Sequence, residues 1–323
     1  MRAAWFLALL CSSLGPAGPI AAGTAQAQVQ EADLDWRPTV VSPAYKVDAP
    51  LIRLDEGHGS VQTMAGRYAG FAALMRADGY RVDAAYERFN LPGALDGVAI
   101  LVIANPRPFD PAQASAFDAA EIDALAQWVA GGGSLLLAAD HAPHGTAAEA
   151  LAARFGVVMG KGYAFQLNGE RITTNLVYPR QALADHPIIE GRNADEAVQL
   201  VKTFTGQSLK GPPGAAVLIA TSDDALEAPD LEAFEEIRRR LRAGEAPSSV
   251  VSELARPALP AQALAFDFGA GRVAVLGEAG MLTAQIVRFE DGRPPIRFGL
   301  NTEGHDDQQF ALNLMHWLSR LMR

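Results

Sequence analysis

Cysteine is nearly absent: Cys11 is the only one in 323 residues. It lies in MRAAWFLALLCSSLGPAGPIAAGTAQA, which has an early Arg2, an apolar core and small residues ending in Ala25-Gln26-Ala27. That order of regions predicts a secretory signal peptide, residues 1–27, cleaved after Ala27. The apolar run breaks at Gly15, Pro16 and Pro19, too early for a membrane span. Leu10 precedes Cys11 where a lipid-attachment motif wants a small residue. The expected mature chain, periplasmic or secreted, therefore has no disulfide, no thiolate metal site and no cysteine nucleophile. Basic charge is also scarce, with 27 Lys and Arg against 37 Asp and Glu and a net charge of −10. Losing Arg2 with the leader makes it −11. Such a chain repels phosphate backbones and anionic lipids, which argues against nucleic-acid binding and against stable membrane insertion after cleavage.

Several chemical signatures are missing too. There is no GxSxG nucleophile elbow and no helical HExxH. Gly131-Gly132-Gly133 precedes a predicted strand, whereas phosphate loops follow one. No internal repeat or low-complexity tract appears. After a polar lead segment, residues 28–50, short apolar runs alternate with helical patterns. Strands are predicted at 51–54, 81–84, 98–104, 135–137 and 272–277. Helices are predicted at 65–78, 115–129, 147–155 and 309–322. Continuous apolar strands alternating with helices predict a doubly wound α/β domain, a mostly parallel sheet with helices on both faces, over 51–323. Residues 160–262 read as an irregular excursion over the sheet, with a charged helix at 231–243 in which Glu235 and Arg239 could pair at i, i+4.

In such sheets ligands bind beyond the carboxyl ends of the strands. Those positions carry Asp55, Glu56 and His58 after the first strand, and Asn105 and Arg107 after the third. Asp140, His141 and His144 follow the fourth, Glu278 the last, and His305 precedes the terminal helix. Four of the six histidines fall there. Two imidazoles and a carboxylate in Asp140-His141-x-x-His144 could ligate a divalent metal such as zinc, with Asp55 or His58 completing the shell. Alternatively Asp140 caps the following helix and a histidine bonds backbone. Without a metal, an acid beside a histidine at a crowded strand end is how catalytic pKa values are tuned. Ser60 reads as a turn hydroxyl rather than a nucleophile. His186 reads as a turn residue and His316 as a buried helix residue. The glycines of LDEGHGS, residues 54–60, read as room for backbone to approach a ligand.

The motifs LDEGHGS, GRYAGFAALMRADGYRV, LVIANP, WVAGGGSLLLAADHAPH, DHPIIEGR, VKTFTGQ, GRVAVLGEAGMLTAQ and DDQQFALNLMHWLSRLM resemble a family of uncharacterised exported bacterial proteins. Members carry a class I glutamine amidotransferase-like domain, and the resemblance spans roughly residues 50–323. It implies a flavodoxin-like sheet and kinship with trehalose-utilisation-type and ABC-transporter-associated proteins. Amidotransferases place a cysteine on the turn after a glycine-preceded strand and a His-x-Glu element late in the chain. Here the turn offers Asp140 and His141, and the late element is Gly304-His305-Asp306-Asp307. Thiol-dependent glutamine hydrolysis is thereby excluded.

Two readings of function follow. One is a periplasmic hydrolase or lyase acting on a small polar compound such as a saccharide. It would use Asp55, Glu56, His58, Asp140 and His141 as acid–base groups, with Asn105, Arg107, Glu278 and His305 binding ligand. The other is a non-catalytic ligand-binding or transporter-accessory module.

Overall fold

The computed structural model describes residues 28–322, apart from 169–170, 223, 253, 255–258 and 291. The expected leader, 1–27, lies outside the described residues. The chain opens with strand β1 (Gln28–Ala32), then β2 (Leu51–Asp55), helix α1 (Ala69–Ala77) and β3 (Arg81–Ala85). Next come β4 (Val98–Ala104), α2 (Ala119–Ala130), β5 (Ser134–Ala138) and α3 (His144–Arg154). Short elements follow: β6 (Val158–Met159), β7 (Tyr163–Asn168), β8 (Arg171–Thr173), β9 (Asn175–Pro179) and α4 (Pro187–Glu190). After them run β10 (Leu200–Phe204), β11 (Leu209–Lys210), β12 (Ala216–Ala220), β13 (Leu226–Ala228), α5 (Leu231–Arg242) and α6 (Pro247–Ser252). The chain closes with β14 (Ala261–Phe268), β15 (Gly271–Leu276), β16 (Ala284–Phe289), β17 (Ile296–Gly299) and α7 (Asp307–Leu318).

The central sheet runs β3-β2-β4-β5-β15-β14-β11-β6, with β12 also on β14. From β3 to β15 every neighbouring pair is parallel. The fold is therefore α/β with a mostly parallel central sheet. Alternation within β5 explains why both faces are covered. Leu136 packs with Phe71 and Leu74 of α1 and Phe310 and Leu314 of α7. Leu135 and Leu137 pack with Leu125 and Val129 of α2 and Leu151 of α3. A strand buried on both sides needs no polar alternation, which is why SLLLA reads as one apolar run. Helix α2 starts on a capping box, with Asp118 accepting from Glu121 N and Glu121 reaching back to Asp118 N. Helix α1 stops at Gly79, whose φ of +94° suits glycine and where a Cβ would lie 1.9 Å from the Tyr45 carbonyl oxygen.

The structure departs from the sequence reading in three places. The lead segment is anchored, because β1 pairs along its whole length with β16. The stretch read as an excursion does not simply lie over the sheet. Its β11 and β12 pair antiparallel with β14 and extend the sheet, and β14 itself forms a hairpin with β15. Small residues in AQALAFDF hid β14, since alanine carries little strand preference. On α5, Glu235 pairs with Arg238 at 2.8 Å and Arg239 pairs with Glu236, both at i, i+3. The expected Glu235–Arg239 pair does not form. Two-sided burial of β5 makes a direct prediction. Leu136→Ala and Leu137→Ala should each cost about 2–5 kcal/mol in urea unfolding, whereas a sheet covered on one face would make one of them cheap.

Candidate functional site

The strand ends place the expected polar residues in two groups. In the first, Asp55 Oδ1 meets His58 Nδ1 at 2.9 Å, and Glu121 Oε1 meets His58 Nε2 at 2.9 Å. Arg88 donates to Glu121 at 3.1 Å and also pairs with Asp118. The imidazole lies between Phe89 and Phe117, with ring centroids 4.8 and 4.6 Å away. Asp55, His58 and Glu121 are all buried. Burial pulls the His58 pKa down, but the hydrogen bonds and charges of Asp55 and Glu121 outweigh it and raise the pKa above 6.5. Each ring nitrogen thus faces a carboxylate oxygen inside the protein. Glu56 is turned to other work, accepting from Met64 N at 2.7 Å. The two glycines of LDEGHGS admit neighbouring loops. A Cβ on Gly57 would lie 2.9 Å from Tyr86 backbone, and one on Gly59, at φ +60°, would lie 2.7 Å from the Arg107 carbonyl oxygen.

Asp140 organises the second group. Its Oδ2 accepts from Asn105 Nδ2 at 2.6 Å and its Oδ1 from Ala279 N at 2.7 Å. In return Asp140 N donates to Asn105 Oδ1 at 2.8 Å. Asn105 adopts φ +47°, a left-handed conformation that asparagine tolerates better than most residues. Gln207 donates to the carbonyls of Ala139 and Asp140 at 2.8 and 3.0 Å. Glu278, fully buried below, accepts from Gly280 N and from Met281 N, the latter at 2.7 Å. Burial first, then the Asp140 charge, pushes the Glu278 pKa well above the usual carboxylate range, and the two backbone donors only partly oppose this. His144 is also buried, with Nδ1 3.3 Å from the Pro106 carbonyl and Nε2 3.4 Å from the Arg107 guanidinium. Burial and Arg107 lower its pKa, with Asp140 acting the other way. A neutral ring donating from Nδ1 and accepting at Nε2 satisfies both contacts.

His141 differs from the other imidazoles. Its Nδ1 lies 2.9 Å from the Ala142 carbonyl, its ring stacks on Tyr163 at 3.7 Å, and its Nε2 has no hydrogen-bond partner among the described residues. Tyr163 also donates to the Ala142 carbonyl at 3.0 Å and stacks on Phe234 of α5. The 160–262 stretch thus touches the strand ends through this aromatic column as well as through Gln207. His305 stands apart, held between the Thr302 hydroxyl and Asp307 at the start of α7. Ser60 bonds Gln62 and the Ala104 carbonyl, a turn role.

His58, His141 and His144 do not share one metal position. Carboxylates occupy both ring nitrogens of His58, and backbone carbonyls take Nδ1 of the other two. Among the described residues no group of three or more His, Cys, Asp or Glu is arranged to hold a metal ion. Asp140 does not cap α3 either, whose N-cap is Pro143 without a side-chain bond. Sequence reasoning missed Glu121, Gln207 and Tyr163. Only Glu121 carried a signal, the Asp118-x-x-Glu121 capping pattern, and that points to a helix start rather than to His58. Two surface recesses of about 630 and 460 Å³ lie elsewhere. Asp185, Glu190, Arg192 and Met322 line the first, and Arg154, Pro212, Phe266 and Phe268 the second.

No family model matches the sequence, and no curated protein matches it. Solved structures do. The N-terminal domain of mmIFT52 superposes with a TM-score of 0.55 at 14% identity, over 83% of this chain and 97% of that one. That likeness shows a shared fold. A ThuA-like protein from Bacteroides uniformis gives a TM-score of 0.44 at 13% identity, over 85% of this chain and 94% of its own. A β-galactosidase from Bacillus circulans gives 0.40 at 11% identity, with 85% of this chain matched to 32% of the enzyme.

Two outcomes follow from this geometry. Because the folded His58 pKa is raised, its contribution to stability is complete below about pH 6.5 and fades as pH climbs through the higher folded value. Melting curves of wild type and His58→Gln across pH 5–9 should show that loss in wild type alone, on top of a general destabilisation of about 3–5 kcal/mol in the variant. Asp140→Asn keeps one acceptor and turns an amide against a donor that had been satisfied. It should cost about 1–3 kcal/mol in denaturant unfolding.

Proposed function

We propose that this protein is an exported ligand-binding module, holding a small polar ligand at the carboxyl edge of its sheet without turning it over. In this reading the domain is doubly wound and flavodoxin-like, related to class I glutamine amidotransferase-like and trehalose-utilisation-type proteins without their cysteine. It serves a transporter-associated partner. One observation carries the binding role. Apart from His141, the acids and imidazoles at the strand ends are engaged with one another, with a neighbouring side chain or with backbone: Asp55 and Glu121 with His58, Asp140 with Asn105 and Ala279, Glu278 with Gly280 and Met281. A general acid or base must be within hydrogen-bond reach of substrate with its proton site available. The leader-like first 27 residues support export.

A hydrolytic reading has one specific feature behind it. His141 has Nδ1 on a carbonyl and a free Nε2, the orientation a general base needs. The two readings separate in one experiment. Thermal melting against a panel of saccharides and sugar derivatives should show a ligand-dependent rise, about 2.7 kcal/mol of stabilisation at a hundredfold excess over Kd. Ester, amide and glycoside substrates tested in parallel should show no turnover. Turnover that disappears in His141→Ala would replace the binding reading with the enzymatic one.

A further inference from the structure

A strand at a sheet edge exposes backbone groups that another chain can pair with, and proteins blunt such edges with side chains, prolines or charge. Strand β3 carries the Arg76 guanidinium on its Val82 carbonyl at 3.1 Å. On β10 the Asp306 and Asp307 carboxylates take the amides of Leu200 and Lys202 at 3.0 and 2.8 Å. Pro294 and Pro295 stand before β17. Strand β1 has no such device. It is an outer strand of the three-stranded sheet β1-β16-β17, holds no proline or lysine, and keeps unbroken register with β16 from Gln28↔Phe289 to Ala32↔Gln285. Two backbone bonds set which of its groups face outward. Asp33 N donates to the Ala284 carbonyl at 2.8 Å in the same register, and on the β17 side Leu300 N donates to the Thr283 carbonyl at 2.7 Å. Bonded and non-bonded pairs alternate along an antiparallel ladder. Val29 and Glu31 therefore exchange bonds with Arg288 and Ile286. The N–H and C=O groups of Gln28, Gln30 and Ala32 point away from β16 and have no partner among the described residues.

We infer that β1 is a self-association edge, on which β1 of a second copy of this chain pairs antiparallel about a two-fold axis at Gln30. In that register Gln30 faces Gln30 and Gln28 faces Ala32 of the other copy. Every outward group then meets its complement, and each facing pair exchanges two bonds. Sliding the second copy by one residue sets outward groups against groups already bonded to β16. An axis at Glu31 brings two carboxylates face to face, and one at Val29 carries Ala32 past the end of the facing strand. The chosen register is also matched in charge. Glu31 lies opposite Val29 and already pairs with Arg288 on its own β16, so no like charges meet. Val29, 46% exposed, gains a neighbour there. Such a contact uses the same patch on both copies and closes on itself, joining two three-stranded sheets into one. It lies on a different sheet from the polar strand ends and does not depend on what binds there.

Sedimentation velocity of the full chain tests this. At about 100 µM, where a micromolar Kd gives mostly dimer, wild type should sediment as a dimer that dissociates on dilution. Gln30→Lys and Gln30→Glu each place like charges together at the axis and should weaken association about tenfold or more. Mixed in equal amounts, the two variants place opposite charges together and should restore the dimer. Arg238→Gln on the far α5 should associate as wild type does. If the charged variants fail to fold, amide exchange in wild type decides. Gln30 and Ala32 should exchange more slowly as concentration rises, while the Glu31 amide, held by β16, keeps one rate. A wild type that stays monomeric overturns the inference and leaves β1 open to a strand of another protein. A dimer that both single variants keep overturns it too, by placing the contact elsewhere. So does a mixture that stays monomeric, or exchange at Gln30 and Ala32 that ignores concentration.

Discussion

The Asp140 carboxylate holds three strand ends together. One oxygen takes the Asn105 side chain at the end of β4, the other takes the Ala279 amide beyond β15, and Asp140 itself follows β5. Parallel strands have no hairpins to fix the spacing of their carboxyl ends, so loops there must be tied by side chains or left loose. A charged acceptor with two short bonds does this more strongly than a neutral one. The left-handed backbone at Asn105, Tyr68 reaching the Ala279 carbonyl and Glu278 folded beneath its own turn all converge on that tie. Asp140 follows the glycine-preceded strand β5 and serves there as a structural acceptor.

Beside it runs a second polar column, Asp55–His58–Glu121–Arg88. Each polar group in it has a partner in the next, so the His58 ring can be buried between phenylalanine rings without an unpaired nitrogen in an apolar medium. The column links the loop after β2 to the start of α2, and through the His58 carbonyl it holds the Arg107 amide. The loop that buries one histidine thereby fixes the backbone of half-buried Arg107 in the loop after β4.

Much of the framework was legible in the sequence. Strands β2, β4, β5 and β15 and the helices between them follow from apolar runs and 3.6-residue spacing, which report burial directly. The location of the polar groups at one edge was legible too, because in a parallel sheet every strand ends on the same side. What each group does there was not. Asp55, Glu56 and His58 looked equivalent as neighbours in LDEGHGS. The structure sends Asp55 and His58 inward, Glu56 to Met64 N, and the glycines against Tyr86 and Arg107.

By itself the sequence determined the layering: continuous apolar strands must be covered on both faces, and the acids, imidazoles and arginines must then gather at strand ends. Only the tertiary structure decided which of them are consumed and which remain. His58 found Glu121 from 63 residues away, and Asp140 found Ala279 from 139 residues away. His144 met the Arg107 guanidinium from 37 residues away. Whether a charge is paired depends on contacts between distant segments, and local spacing along the chain carries no record of them.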